Sequence, residues 1–423
     1  MRRFTLAGLF ILTLMLMGIP PSTRAADLTC ASSTTLDALA TCIRTQMPGN
    51  GSNEFVVPNS TQQADYRWVV RQMLGGSCSF PLPATLNGIM QMRNFTDTSN
   101  GKSYCLFMEV QDANSNDKVD RGWGTFIVNP QAQRELSQQA PHPISDSTTE
   151  VEAVLAFRDT NSRSYLMCGA HRDANTVVST CQSDYNQADC AHNVNNMYHP
   201  ANEELKDFYA GQSWNAIQWH GMAETTCPNT NAYLSHGRNV VPAAGDKIVA
   251  LKNNLLSYHP TWMIDTPGTG ACSLNATDNV QGRLLNGVFA GSVCGTAASL
   301  YSGAFIHNEQ DPAFRTAADW VPALNDTWPL GPTTPPAAPT SLTASAGKKK
   351  VTLSWTASAG ASSYKVKRAT VSGGPYTTIA TGLTATSYVN TGLQTGTTYY
   401  FVVTAMNAIG ESGASNQASA KAK

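Results

Sequence analysis

Four prolines fall within nine residues at Gly331-Pro332-Thr333-Thr334-Pro335-Pro336-Ala337-Ala338-Pro339. Each proline fixes φ and removes a backbone donor, so neither helix nor sheet runs through this stretch. It reads as a stiff, solvated linker. The chain of 423 residues must therefore fold as at least two units, one on either side of residues 331–339.

Residues 340–423 contain no Cys and no His. Short alternating runs, Val351-Thr352-Leu353-Ser354-Trp355 and Ser363-Tyr364-Lys365-Val366-Lys367-Arg368, are followed by Tyr399 to Ala405. Gly373-Gly374-Pro375 and Thr395-Gly396-Thr397 punctuate them. Alternation broken by turn residues predicts an all-β sandwich. The segment resembles a fibronectin type III domain: Trp355 on an early strand, Tyr364 on the next, and Leu393-Gln394-Thr395-Gly396-Thr397-Thr398-Tyr399 at the tyrosine corner, with Thr395 where the family usually has Pro. That resemblance implies a spacer, or contact with an extracellular polymer or cell wall.

Before the linker, Arg2 and Arg3 precede an apolar run from Leu6 to Met17, and Thr23-Arg24-Ala25 offers small residues for cleavage. Residues 1–25 read as a secretory signal peptide. The run is too short for a transmembrane anchor, which needs about 20 apolar residues. The ten Cys contain no CxxC pair. In an exported chain an even count predicts disulfides, with Cys181/Cys190 and Cys272/Cys294 as locally plausible partners. A net charge of -1 with 13% charged residues gives no reason to expect nucleic acid or an anionic membrane as partner.

Residues 26–330 are expected to form an α/β domain, a mixed sheet with helices on both faces, in which residues 26–134 contribute helices and a hairpin. Asp112-Ala113-Asn114-Ser115-Asn116-Asp117 echoes the start of a calcium loop. Its sixth position is Asp117 where that loop needs Gly, so an Asx-rich turn is the better reading. From Gln138 on, strand-like and helix-like segments alternate, as in an α/β sheet. Ligands of such sheets bind at the carboxyl ends of strands, where the pattern places His171, His220 and Glu309. All eight His lie between His142 and His307. His142 sits between Pro141 and Pro143, with Asp146 and Glu150 just downstream.

A hydrolytic zinc site wants three His, Asp or Glu ligands, an open position for water and a nearby carboxylate base. His142, one of Asp146 and Glu150, and His220 could supply the ligands, and Glu309 the base. This order is similar to the zinc carboxypeptidase superfamily, including the N-formylglutamate amidohydrolases and succinylglutamate desuccinylases. The resemblance implies Zn2+ held by His142, Glu150 or Asp146, and His220. It makes Glu309 the general base and Arg172 the clamp for a substrate carboxylate, with Asn175 beside it and Arg238 as a substitute. The substrate implied is a peptide, an N-acyl amino acid or an amide polymer. The chain departs from the family's His-x-x-Glu spacing, since position 145 is Ser. His171 and His192 are candidate substrate contacts, and His192 and His199 would share a helix face. A serine nucleophile is disfavoured because Gly211-Gln212-Ser213-Trp214-Asn215 lacks the second Gly of the nucleophile elbow. The competing reading is a secreted adhesive or polymer-binding protein without catalysis.

Overall fold

The computed structural model describes residues 28–270, 272–330, 334–407 and 409–423. The expected signal peptide and residues 331–333 of the linker lie outside them. The chain divides into two compact units between Trp328 and Pro329.

The first unit opens with helices α1 (Leu36–Thr45) and α2 (Ser60–Leu74), then strands β1 (Met90–Asp97), β2 (Lys102–Glu109), β3 (Thr125–Val128) and β4 (Arg134–Ala140). Helix α3 (Thr149–Asp159), β5 (Ser162–Met167), α4 (Tyr198–Phe208), β6 (Asn215–Gly221) and β7 (Ala232–Ser235) follow. The unit finishes with α5 (Lys247–Tyr258), β8 (Ile264–Asp265), α6 (Val280–Leu285), β9 (Phe305–Gln310) and α7 (Ala317–Thr327). The nine strands form one mixed sheet in the order β1-β2-β3-β5-β4-β6-β9-β7-β8. Its centre, β5-β4-β6-β9, is parallel. The flanking pairs β3/β5 and β7/β9 are antiparallel.

Side chains alternate between the two faces of this sheet. Leu106, Met108, Ile127, Ile217 and Ile306 pack beneath α1, α3, α5 and α7. Their neighbours Cys105, Phe107, Phe126, Ala216 and Phe305 pack beneath α2 and α4. The period of two along each strand thus builds a three-layer unit. From β4 the chain runs through α3 to β5 on one side. From β5 it runs through α4 to β6 on the other side of β4. Loops leaving β4 and β6 therefore diverge at their carboxyl ends, which opens the crevice expected of such a sheet.

All ten Cys are paired: Cys30–Cys42, Cys78–Cys105, Cys168–Cys190, Cys181–Cys294 and Cys227–Cys272. The expected Cys181/Cys190 and Cys272/Cys294 pairs do not form. Residues 169–197 fold over the end of the sheet, and tertiary placement, not nearness along the chain, selects each partner. Five disulfides accord with folding in an oxidising, extracellular setting. Among the described residues no helix is long and apolar enough to cross a membrane.

The Asp112–Asp117 stretch is an Asx-rich turn. The Asp112 carboxylate accepts from the backbone N–H groups of Asn116 and Asp117, at 3.1 and 3.0 Å. His192 does not share a helix with His199, because residues 191–197 are turns and α4 starts at Tyr198.

Behind β9, the buried carboxyl of Glu152 accepts from Gln310 Nε2 at 2.9 Å. Burial pushes Glu152 well above the usual carboxyl range. The folded state keeps a proton that the unfolded chain has released, so stability falls as pH rises through that interval, at up to about 1.4 kcal/mol per pH unit. Glu152→Gln should therefore be more stable than the parent at pH 8, with the difference shrinking toward pH 4. Urea denaturation at both pH values measures this; a pH-independent difference would contradict it.

In the second unit β10 (Thr340–Gly347), β11 (Lys350–Thr356) and β14 (Ser387–Thr391) form one sheet. Strands β12 (Ser363–Ala369), β13 (Thr377–Leu383), β15 (Thr398–Met406) and β16 (Ala418–Lys421) form the other. The inward residues Val351, Leu353, Trp355, Val366, Phe401 and Val403 make the core. Trp355 meets Tyr364 edge-on at 5.5 Å, and Tyr399 Oη accepts from Gln394 N at 3.2 Å.

Candidate metal centre

The site is assembled from three parallel strand ends. Just past β4, Pro141-His142-Pro143 turns sharply, and Asp146 N donates to His142 O at 2.9 Å. That turn folds the Asp146 carboxylate back under the His142 ring, before α3 begins. On β6 and β9, His220 pairs in register with Glu309, and Gln218 with His307. All four side chains emerge on one face, because the period of a strand is two. The loop from β5 to α4 adds Arg172, Asp189 and His192.

Asp146 is the hub. Its Oδ2 lies 3.2 Å from His142 Nδ1 and 3.4 Å from His220 Nδ1. The same oxygen accepts from Gly221 N at 3.2 Å, and Oδ1 accepts from Arg172 at 3.2 Å. His142 Nε2 lies 3.1 Å from Asp189 Oδ1. His220 Nε2 approaches Gln218 Oε1 at 3.4 Å, and Asn279 donates to that same oxygen at 2.7 Å. On β9, His307 Nε2 lies 3.4 Å from Glu309 Oε1. His142, Asp146, Arg172, His220, His307 and Glu309 line a mostly polar cavity of about 390 Å³, which residues 273–279 also line.

The charges follow from these contacts. Burial would lower His142, but the carboxylates of Asp189 and Asp146 outweigh it and push the ring up to about 9. Burial would raise Asp146, yet His142 and His220 hold it well below the usual carboxylate range. Asp189, buried beside His142, drops to about 2. Burial takes His220 down to about 4, against the pull of Asp146, so its ring is neutral near pH 7. Glu309 is lowered, because contact with His307 outweighs its burial.

The donor set fits a zinc ion. Two ligands at Zn–N or Zn–O distances of about 2.0–2.1 Å and a tetrahedral angle stand about 3.4 Å apart. The His142–Asp146 and Asp146–His220 separations match that edge, and each of the three residues brings a ligand atom within 4.8 Å of the others. With Nδ1 of His142 turned to that point, Nε2–H points at Asp189, the carboxylate–histidine arrangement that fixes a metal-binding ring. Asp189→Asn should therefore weaken zinc binding by about 10- to 100-fold while the fold persists. Competition with a chromophoric chelator measures it; unchanged affinity would remove Asp189 from the site.

The other expected residues fall in different places. Glu150, buried on α3, pairs with Arg44 of α1 at 3.0 Å and does not line the cavity. Asn175 binds the backbone of Phe55 through both ends of its amide, at 3.2 and 2.9 Å. His171 Nδ1 accepts from Asp173 N at 3.0 Å. Neither Asn175, His171 nor Arg238 lines the cavity. His192 does, stacked on Tyr185 at 3.6 Å. Beside His220, Gly221 leaves room for Arg315: an added Cβ there would stand 2.3 Å from its guanidinium. Arg315 donates to the carbonyls of Ser147, Met222 and Gln310, tying the three strand ends together, and does not pair with Glu309. Gln218 and His307 stand two residues before His220 and Glu309, so the strand period of two could have pointed to them. Asp189 carries no sequence signal of its own, and only the fold brings it to the strand ends.

The family model for the fibronectin type III domain matches residues 337–421. An amylopullulanase from Thermoanaerobacterium thermosulfurigenes is 39% identical over 86 residues, 20% of this chain and 5% of that one. Another from Thermoanaerobacterium saccharolyticum is 36% identical over 77 residues, 18% of this chain and 6% of that one. The chain thus spans about a twentieth of the length of these curated relatives, and the matches fall on the C-terminal segment. A solved Fn3-like protein from Clostridium thermocellum is 47% identical, covers 21% of this chain and 96% of its own, and has a TM-score of 0.21. Residues 337–421 are a fibronectin type III domain, following an α/β unit that carries the His and carboxylate cluster.

Proposed function

We propose that the α/β unit is a secreted zinc-dependent hydrolase of amide bonds with a carboxypeptidase-like fold. One observation carries this reading: His142 Nδ1 and His220 Nδ1 lie 3.2 and 3.4 Å from Asp146 Oδ2, the three residues each bring a ligand atom within 4.8 Å of the others, and the Glu309 carboxylate stands on the neighbouring strand. His142, Asp146 and His220 would hold the ion. Zinc there would lower the pKa of a bound water and polarise the scissile carbonyl. Glu309, held ionised by His307, accepts the water proton and returns it to the leaving nitrogen. Arg172 lines the cavity, and its side chain is 39% exposed. It grips a substrate carboxylate with two hydrogen bonds. Asp189 and Gln218 fix the ligand rings. The substrate class is a peptide, an N-acyl amino acid or an amide polymer. The match of residues 337–421 to segments of amylopullulanases supports a second, auxiliary role: the fibronectin type III domain holds the enzyme on an extracellular polymer.

The test is hydrolysis of a panel of N-acyl amino acids and short peptides by full-length protein, stripped of metal and then reloaded with zinc. Cleavage that appears only with zinc supports the reading. A protein that binds polymer but binds no zinc and cleaves nothing contradicts it and favours an adhesive role.

A further inference from the structure

One guanidinium binds the backbone just past each of three site residues. Arg315 Nη1 donates to Ser147 O, next to Asp146, at 3.0 Å. Its Nη2 donates to Met222 O, two residues beyond His220, at 2.9 Å. Nε and Nη2 donate to Gln310 O, next to Glu309, at 3.2 and 3.0 Å. Strand register does not fix all of this geometry. Strands β6 and β9 pair as far as Gly221 and Gln310, but β4 and β6 pair only as far as Gln139 and Gln218. Asp146 comes later, on the turn that begins at His142, so no ladder sets its distance from His220. Arg315 ties that unpaired segment to the paired one. Charge-assisted hydrogen bonds are roughly twice as strong as neutral ones, and the planar fork meets several acceptors at once. Gly221 gives the fork its place. The three atoms nearest to an added Cβ there all belong to the Arg315 guanidinium, at 2.3, 2.4 and 2.7 Å. The φ of Gly221 lies outside the left-handed region, so alanine suits its backbone and clashes with Arg315.

We propose that Arg315 is a positioning residue of the metal centre. It does not line the cavity, so it meets neither ion nor substrate. It sets zinc affinity by holding Asp146 at ligand distance from His220, with Glu309 beside them. This role rests on the zinc reading of the site. Binding constellations must be held to about 0.5 Å, and groups that orient metal ligands from outside are worth about 10- to 100-fold in affinity.

Metal-free, full-length protein is titrated with zinc against a chromophoric chelator. The chains compared are wild type, Arg315→Ala, Arg315→Lys, Gly221→Ala and the double variant of Gly221→Ala with Arg315→Ala. Each single variant should bind zinc about 10- to 100-fold more weakly. Lysine brings one flexible ammonium in place of the fork and should not restore the affinity. The double variant should be no weaker than Arg315→Ala alone, because both changes act through the same guanidinium. Millimolar guanidinium chloride should strengthen zinc binding by Arg315→Ala and leave Gly221→Ala unchanged; a general loss of stability would not respond in that way. Melting of the metal-free chains reports whether each variant folds. Gly221→Ala, which keeps the arginine, carries the test if Arg315→Ala does not fold. Wild-type affinity in the folded single variants, or losses that add in the double variant, overturns the role of Arg315 and leaves the zinc reading intact. A wild type that binds no zinc, or binds it as well after His142→Ala, overturns the zinc reading itself.

Discussion

Replacing Asp146 by alanine should abolish tight zinc binding and destabilise the metal-free fold. Asp146 is 3% exposed and meets four groups: His142, His220, Arg172 and the Gly221 amide. Its removal deletes the one carboxylate ligand. It also leaves His142 with a single carboxylate, and Arg172 and the Gly221 amide without this acceptor. Breaking a buried ion pair by removing one partner costs about 3–5 kcal/mol. Asp146→Asn keeps the shape and loses the charge, so it should fold better than the alanine variant and still bind zinc poorly. Metal content per chain and urea denaturation measure both effects. An alanine variant that keeps a full equivalent of zinc at unchanged stability would contradict the role given to Asp146. The same measurement on Glu150→Gln should show full zinc content, because that carboxylate faces Arg44.

Replacing Glu309 by glutamine should leave the tight zinc equivalent in place and remove most of the turnover. Glu309 on β9 stands in register beside His220 on β6 and lines the cavity, and its carboxyl is held below the usual range by His307. It is therefore ionised at neutral pH and free to take a proton. The amide of Gln has the same size but cannot accept that proton. Positioned general acid–base groups contribute about 10²–10⁴-fold to rate, and a loss of that size is expected in kcat with KM little changed. A variant with near-parental kcat would assign the base elsewhere.

The fibronectin type III domain was legible because its core is written twice, in strand alternation and in the Trp355, Tyr364 and Tyr399 positions. Helices α1 to α5 and strands β2, β5, β6 and β9 of the α/β unit also showed in the apolar period. Its central strand did not. Strand β4 contains Ser137, Gln138 and Gln139, which look like a loop yet are buried. They are tolerated because Trp219 Nε1 donates to Gln138 at 2.8 Å and Gln139 donates to Asn202 at 2.8 Å. A buried polar strand reveals itself only once its partners are in place.

The candidate site was legible in part for a similar reason. His142 announced itself between two prolines with carboxylates just downstream, and His220 and Glu309 as polar residues ending or following apolar runs. The choice between Asp146 and Glu150 could not be made from spacing, because it depends on a backbone turn: Thr148 sits at φ 72°, and α3 then carries Glu150 away toward α1. Asp189 meets His142 across 47 residues of chain, where no local pattern points.

The central claim is that His142, Asp146 and His220 hold a zinc ion within reach of Glu309. An anomalous difference map across the zinc absorption edge, from crystals of the full chain at one equivalent of zinc, tests it most directly. The account predicts a peak about 2.1 Å from His142 Nδ1, Asp146 Oδ2 and His220 Nδ1. Crystals that show no peak there, or show the ion on Glu150 instead, would contradict it.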